Sequence, residues 1–122
     1  KNSASKLPII AEDLGVITPS VENLRKKFGF LGNRVIQFGE SAETDIVYYT
    51  STHDSETLKG HYKNKSEIYL NKVLESQAAV KIIPMWDILK LGNSSRLNRP
   101  GTKHDNWGWR IDSCVILEAE GR

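Results

Sequence analysis

Four short apolar segments, separated by longer polar stretches, divide the sequence into repeating units. They lie at residues 7–11 (LPIIA), 34–38 (RVIQF), 45–50 (DIVYYT) and 81–85 (KIIPM). Their β-branched and aromatic residues favour strands, and their apolar positions follow one another without the strict alternation of a strand that has one face in water. Such runs are typical of parallel strands that are covered on both faces.

Two helices are predicted between these strands. The first is expected over about residues 19–28, because a Thr-Pro pair supplies an N-cap and a proline at the first helical position, and Gly29 supplies a stop. The second is expected over about residues 66–80, with Ser66 as its cap. Its apolar face comprises Ile68, Tyr69, Val73 and Leu74. The order of strand, helix, strand, loop, strand, helix and strand predicts an α/β fold built from parallel β/α units.

Ionisable side chains follow three of the apolar segments, where the strands are expected to end. They are Glu12 and Asp13, His53 and Asp54, and Asp87. Because functional residues of parallel sheets gather at the carboxyl ends of the strands, we expect these side chains to share one rim. Adjacent strand residues point to opposite sides, so Glu12 and Asp13 cannot both face the site. A single carboxylate after a strand is more often an N-cap or a turn residue, and Asp87 fits that alternative.

The composition narrows the classes of partner. The 122 residues carry 17 basic and 15 acidic side chains without a block of like charge, and no apolar run is long enough to span a bilayer. We therefore expect neither a nucleic-acid partner nor a membrane partner. The one cysteine, Cys114, fits a reducing compartment. His53 and Asp54 could begin a metal site, although further ligands at a defined spacing are not recognisable. Trp107 and Trp109 could pack in the core or form a platform that stacks on sugars.

Six segments, taken in chain order, resemble one enzyme family. They are IIAEDLG (9–15), the stretch from TP to QF (18–38), VYYTSTHD (47–54), IIPMWDILKLG (82–92), RLNRPGT (96–102) and NWGWR (106–110). Together they resemble the C-terminal half of the catalytic barrel of amylomaltases, the 4-α-glucanotransferases that are also called disproportionating enzymes. The resemblance covers most of residues 7–112 and implies a partial (β/α)8 TIM barrel, with apparent strands five to eight. The whole chain, residues 1–122, would then be the C-terminal part of a single glycosyl-transfer barrel.

The resemblance also implies roles for individual residues. Glu12 matches the general acid/base, Asp54 matches the carboxylate that stabilises the transition state through sugar hydroxyls, and His53 matches a substrate-contacting residue. A loop near the substrate groove is matched by Asn98, Pro100 and Gly101. Retaining glycosyl transfer also needs a nucleophilic carboxylate. In the family this is an Asp that precedes everything present here, and no residue of this chain matches it.

The implied activity is transfer of α-1,4-glucan segments between maltooligosaccharides by a retaining mechanism, without a metal or an organic cofactor. We expect the chain alone to be inactive and to self-associate, because half a barrel exposes strand edges and apolar faces. The alternatives are a non-catalytic carbohydrate-binding or interaction remnant and a metal hydrolase that uses His53 and Asp54. The expected location is the cytoplasm, or a plastid if the source is a plant.

Several features differ from what is usual in that family. Ser51 and Ser55 stand where Gly and Asn usually flank the THD motif, and Trp86 stands where Gln is usual. The connection between the second and third strands is short, and a helical segment before residue 66 is missing. We expect these differences to affect specificity on the acceptor side of the substrate.

Overall fold

A three-stranded parallel sheet forms the centre of the computed structural model, which describes residues 9–111 of the chain. Its strands are β1 (Gly32–Val35), β2 (Ile46–Tyr49) and β3 (Val80–Ile82), side by side in chain order. The first predicted strand is reduced to one parallel bridge between Ile10 and Leu31, and its residues 7 and 8 lie outside the described part of the chain. The predicted α/β class and the parallel arrangement are confirmed.

Within residues 9–111 the helices are α1 (Pro19–Phe28), α2 (Leu58–Tyr62), α3 (Ser66–Glu75) and α4 (Met85–Ile88). Three 3-10 turns occupy Ile36–Phe38, Lys63–Lys65 and Asn93–Ser95. The first predicted helix is confirmed at both ends. Gly29 stops it with a left-handed φ of 67°, and the N–H of Gly29 donates to the Lys26 carbonyl at 3.0 Å.

The second predicted strand is wrong in its bounds. It was expected over residues 34–38, whereas β1 begins at Gly32 and residues 36–38 form a 3-10 turn. A Cβ on Gly32 would lie 2.6 Å from Asp13 Oδ2 and 2.9 Å from Arg25 Cζ. Gly32 therefore lies within the strand, where the side chains of Asp13 and Arg25 leave no room for a Cβ. From sequence alone, a glycine at the end of a strand suggests a turn.

The second predicted helix is shorter than expected, and the fourth predicted strand is displaced. Helix α3 ends at Glu75 because Ser76 leaves the helical conformation, and its hydroxyl donates to the Val73 carbonyl at 2.7 Å. Ser66 is the first residue of α3 and does not cap it. Strand β3 ends before Pro84, which is the N-cap residue of α4, so the predicted strand residue Met85 is helical.

Burial on both faces is confirmed for β2, where Ile46, Val47 and Tyr48 are each at most 2% exposed. The hydrophobic core comprises Ile36, Ile46, Tyr48, Leu58 and Val73, with Tyr62, Tyr69, Leu70 and Ala78 packed against it. The core therefore lies between the sheet and helices α2 and α3. The predicted apolar face of α3 holds only in part, because Ile68 and Leu74 are about half exposed.

Apolar side chains remain exposed on the outer parts of this unit. All three residues of β3 are exposed, and among the described residues β3 pairs only with β2. On α1 the exposed apolar side chains are Val21, Leu24 and Phe28. These faces lack a packing partner within residues 9–111.

Candidate functional site

A cavity of about 930 Å³ lies at the carboxyl ends of the strands. Its lining residues come from all four extended segments: Glu12, Leu14, Gly15, Asn33, Phe38, Tyr49, Ser51, Thr52, His53, Asp54, Ser55, Ile82, Pro84 and Trp86. The structure thus brings Glu12, His53 and Asp54 together at one cavity, as the strand-end argument predicted. Glu12 is exposed at this rim.

Asp13 does not line this cavity, unlike Glu12 beside it. Its carboxylate is buried, and Oδ1 accepts the backbone N–H of Asn33 at 2.5 Å. The other oxygen, Oδ2, lies 3.3 Å from Arg25 Nε and 3.2 Å from Arg34 Nη1. Arg25 is itself buried between the sheet and α1. Asp13, which directly follows Glu12 in sequence, is therefore bound to both β1 and α1.

Asp87 does not line the cavity, and its expected place on the functional rim is wrong. Its side chain is 2% exposed and accepts hydroxyl hydrogen bonds from Thr50 at 2.6 Å and Ser51 at 2.5 Å through Oδ2. Its Oδ1 accepts the backbone N–H of Leu58 at 2.7 Å. Asp87 lies inside α4, whose N-cap residue is Pro84, so it does not cap the turn that follows it. Its role is structural, as the alternative interpretation holds, because its carboxylate satisfies an N–H in the first turn of α2.

His53 and Asp54 lie at the tip of a turn that follows β2. The Thr52 N–H donates to Ser55 Oγ at 2.9 Å, and the Ser55 N–H donates to the Thr52 carbonyl at 3.3 Å. Both side chains at the tip are about half exposed, and His53 Nε2 lies 3.4 Å from Asp54 Oδ2. The turn therefore projects the imidazole and the carboxylate to the cavity from a fixed backbone.

The Gln37 side chain connects the two ends of this loop. Its amide nitrogen donates to the Thr50 carbonyl at 3.3 Å and to the Glu56 carbonyl at 2.8 Å. Sequence analysis placed Gln37 in a strand and gave it no function. The structure makes it a support for the segment that carries His53 and Asp54.

The loop after α4 contacts the same turn. Asn98 Nδ2 donates to Asp54 Oδ1 at 2.5 Å, and the backbone N–H of Asn98 donates to the His53 carbonyl at 3.0 Å. Arg96 Nη2 donates to the Asp54 carbonyl at 2.7 Å. Asn98, selected from sequence as a substrate-binding residue, thus lies directly against Asp54.

Pro100 and Gly101 form the centre of a turn over residues 99–102. The Thr102 N–H donates to the Arg99 carbonyl at 3.1 Å, and Gly101 has a φ of 83°. Proline at the second position and a positive φ at the third are the features of a type II turn. Both residues are exposed and neither lines the cavity. Their contribution to the site in this structure is the shape of the loop that carries Asn98.

The two tryptophans of the NWGWR segment lie near the site and not in the core. The Trp107 ring is 54% exposed, and its centroid lies 5.4 Å from that of His53. The Trp109 centroid lies 5.8 Å from that of Trp86, with the rings at 84°. Of the two expected positions, packing in the core is therefore wrong for Trp107.

Tyr49 is a cavity residue that sequence analysis did not single out. Burial, and then the nearby Glu12 carboxylate, raise the pKa of Tyr49. The phenol therefore stays protonated and keeps an O–H available beside Glu12. Its position at the end of an apolar run was the available signal, but a tyrosine there is usually a packing residue.

Within residues 9–111, no group of three or more His, Cys, Asp and Glu side chains is arranged to hold a metal ion. None of the helices in this range combines the length and the apolar character that crossing a membrane requires.

Comparison with known proteins gives one consistent family. Residues 1–73 and 66–115 match the protein family described as 4-alpha-glucanotransferase. The chain is 38% identical to the 4-alpha-glucanotransferase of Synechocystis, over 90% of this chain and 28% of that protein. It is 40% identical to the chloroplastic/amyloplastic 4-alpha-glucanotransferase of Arabidopsis thaliana, over 93% of this chain and 25% of that protein.

A solved structure agrees with these sequence matches. The amylomaltase from Streptococcus agalactiae, in complex with acarbose, superposes with a TM-score of 0.81 at 27% identity. The match covers 93% of this chain and 29% of that one. The predicted resemblance to amylomaltases, which are TIM-barrel enzymes, is therefore confirmed.

The chain is short relative to its relatives in two ways. It spans between 25% and 30% of the length of the curated relatives it matches. The alignment with the Synechocystis protein runs over 142 residues, more than the 122 present here, so that relative has additional residues inside the aligned region. The family match also divides into two parts near residues 66–73. Just before this division, α2 joins α3 through the 3-10 turn at Lys63–Lys65 alone, which agrees with a shortened connection before α3.

Proposed function

This chain belongs to the 4-alpha-glucanotransferase family, and we propose that it is the C-terminal part of the catalytic barrel of such an enzyme. Its extended segment and three strands would be barrel strands five to eight. The enzyme would transfer α-1,4-glucan segments between maltooligosaccharides by a retaining mechanism. The observation that carries the proposal is the position of Glu12, His53 and Asp54 on one cavity at the carboxyl ends of parallel strands.

Glu12 would act as the general acid/base. In the first step its carboxyl group gives a proton to the glucosidic oxygen as the bond to the sugar breaks, and in the second step its carboxylate takes a proton from the incoming sugar hydroxyl. Its exposure at the cavity rim supports this role, because the group must reach two successive sugars. The neighbouring Asp13, buried against Arg25, holds the backbone from which Glu12 extends.

Asp54 would bind sugar hydroxyls and stabilise the positive charge of the oxocarbenium-like transition state. A carboxylate in that role should be held in one position, since its interactions must strengthen at the transition state. The hydrogen bond from Asn98 and the contact with His53 supply such support. His53 would contact the substrate beside it. Asn98, Pro100 and Gly101 would form the adjacent loop of the substrate groove.

The nucleophile of the retaining reaction would lie outside these 122 residues. The chain by itself would then bind glucan without forming the glycosyl-enzyme intermediate. The exposed apolar faces of β3 and α1 support association of the isolated chain with itself. No cofactor is needed for this chemistry. The proposed location is the cytoplasm, or a plastid in a plant.

The test uses the polypeptide that contains this chain and maltotriose as the substrate. Transfer should yield glucose and longer maltooligosaccharides, and Glu12→Gln should abolish it. Glu22→Gln is the matched control, because Glu22 pairs with Lys26 at 2.8 Å on the surface of α1. Maltoheptaose binding without transfer would favour the non-catalytic remnant, and loss of both would contradict the proposal.

A further inference from the structure

Trp86 forms part of the cavity wall but has no role in the chemistry described above. It lies in the first turn of α4, directly after β3, and its ring is half-buried. It lines the same cavity as Glu12 and Asp54. A large aromatic side chain that is neither buried in the core nor free on the surface presents part of its ring to whatever occupies that cavity.

A chain of hydrogen bonds fixes the orientation of this ring. The indole Nε1–H of Trp86 donates to Ser51 Oγ at 2.9 Å, and the Ser51 hydroxyl donates to Asp87 Oδ2 at 2.5 Å. Ser51 and Asp87 are both buried, so water does not compete for these bonds. Trp109 adds a second restraint, since its ring stands almost perpendicular to that of Trp86. The Trp86 indole is therefore held by its hydrogen bond to Ser51 and by its contact with the Trp109 ring.

Ser51 supplies the acceptor that the Trp86 indole needs at this position. A glycine at position 51 would offer no hydroxyl to the indole N–H, and a half-buried indole usually needs such a partner. Ser51 and Trp86 are thus physically connected in this chain.

We propose that Trp86 is a specificity-determining residue, an aromatic wall on which a glucose ring of a bound maltooligosaccharide stacks, and that Ser51 is the positioning residue that sets its orientation. This inference rests on the proposed function. A glucose ring has apolar C–H faces as well as hydroxyls, and an aromatic face is complementary to them. Stacking adds affinity that a small side chain at the same position does not supply.

The first experiment measures maltoheptaose binding by calorimetry, using the polypeptide that contains this chain. Trp86→Ala should weaken binding by roughly five- to tenfold. Phe28→Ala is the control, because Phe28 is an exposed aromatic residue on α1 that does not line the cavity. It should leave the dissociation constant unchanged.

The second experiment tests the role of Ser51 with a double-mutant cycle. Ser51→Ala should weaken binding in the wild-type background, where the indole loses its acceptor, and should have no further effect in a Trp86→Phe background, where the N–H is already absent. The indole N–H resonance of Trp86 should also move and exchange faster with solvent in Ser51→Ala. Equal effects of Ser51→Ala in both backgrounds would overturn the positioning role.

A measurement on the unmodified polypeptide removes dependence on the folding of any variant. Saturating maltoheptaose should shift the Trp86 side-chain resonances, and the ring current should shift sugar C–H resonances. Binding without a shift at Trp86, or with unchanged affinity in Trp86→Ala, would overturn this inference and leave the proposed function standing. Absence of maltoheptaose binding in the unmodified polypeptide would overturn both.

Discussion

At the scale of single residues, the two proposed catalytic carboxylates differ in how their neighbours hold them. Glu12 is exposed at the rim and is fixed through the buried residue beside it, Asp13. Asp54 is held directly. Its Oδ1 accepts a hydrogen bond from the Asn98 amide, and its Oδ2 lies close to the His53 ring. A group that exchanges protons with two different oxygens needs access, whereas a group that binds a developing charge needs a fixed position. The observed difference fits the two proposed roles.

Asn98 provides the first prediction at this scale. Asn98→Ala removes the amide that holds Asp54, so the rate of glucan transfer should fall by about tenfold to a hundredfold through loss of orientation. The loss should appear mainly in kcat, because Asp54 acts at the transition state. Asn64→Ala is the control, as Asn64 is exposed on the 3-10 turn at Lys63–Lys65. Unchanged turnover in Asn98→Ala would show that Asp54 does not depend on this support.

The sequence was informative about residues whose positions follow from strand geometry. Glu12, His53 and Asp54 could be assigned to one rim because parallel strands end at a common edge. Gln37 and Trp86 could not be assigned in this way. Their roles depend on the Glu56 carbonyl and the Ser51 hydroxyl, which only the fold brings near them.

Among the secondary-structure elements, those defined by local sequence signals were predicted, and those that depend on contacts between distant residues were not. Helix α1 was predicted at both ends because its proline and its Gly29 stop are local signals. Helix α2 was missed. Thr57 does cap it locally, accepting the Gly60 N–H at 3.0 Å, but its first turn also depends on Asp87, which is distant in sequence. The predicted strand did not include Gly32. Only the folded structure shows that the side chains of Arg25 and Asp13 approach this residue so closely that a Cβ would clash with them.

Asp87 provides the prediction at the element scale. Asp87→Ala leaves the hydroxyls of Thr50 and Ser51 and the N–H of Leu58 without their buried acceptor, so we expect the free energy of unfolding to fall by about 3 kcal/mol. Urea denaturation of the polypeptide that contains this chain measures this change. The Leu58 amide should also exchange faster with solvent.

Glu67→Ala serves as the control for Asp87→Ala. Glu67 is an exposed carboxylate in the first turn of α3, and its ion pair with Lys90 lies on the surface. Its removal should leave the urea midpoint nearly unchanged. Equal midpoints for the Asp87 variant and this control would contradict the capping role of Asp87.

At the scale of the whole molecule, the exposed apolar faces determine how the isolated chain should behave. Both Val80 and Ile82 of β3, together with the apolar side chains of α1, are more than a third exposed. An uncovered strand and an uncovered helix face favour association. We therefore expect the isolated 122-residue chain to bind a hydrophobic dye and to form concentration-dependent oligomers in analytical ultracentrifugation. A monomer that unfolds cooperatively and binds no dye would contradict this expectation.

The isolated chain should also be catalytically inactive. If the nucleophile lies outside these 122 residues, as proposed, the chain cannot form the glycosyl-enzyme intermediate, and incubation with maltotriose should release no glucose. The chain should nevertheless bind maltoheptaose if the rim is intact. Release of glucose by the pure chain would mean that it contains a nucleophile that the resemblance does not identify.

A comparison of two donors separates the roles of Glu12 and Asp54. Formation of the glycosyl-enzyme is measured in a polypeptide that contains this chain and the nucleophile, with a natural glucan and with a glycosyl fluoride. Glu12→Gln should slow this step severely for the glucan but spare it for the fluoride, whose leaving group needs no proton. Asp54→Asn should slow both donors by a similar factor, because it acts on the sugar and not on the leaving group. Equal slowing of both donors by Glu12→Gln, together with a spared fluoride reaction in Asp54→Asn, would reverse the two assignments, and no effect of either variant would contradict the site itself.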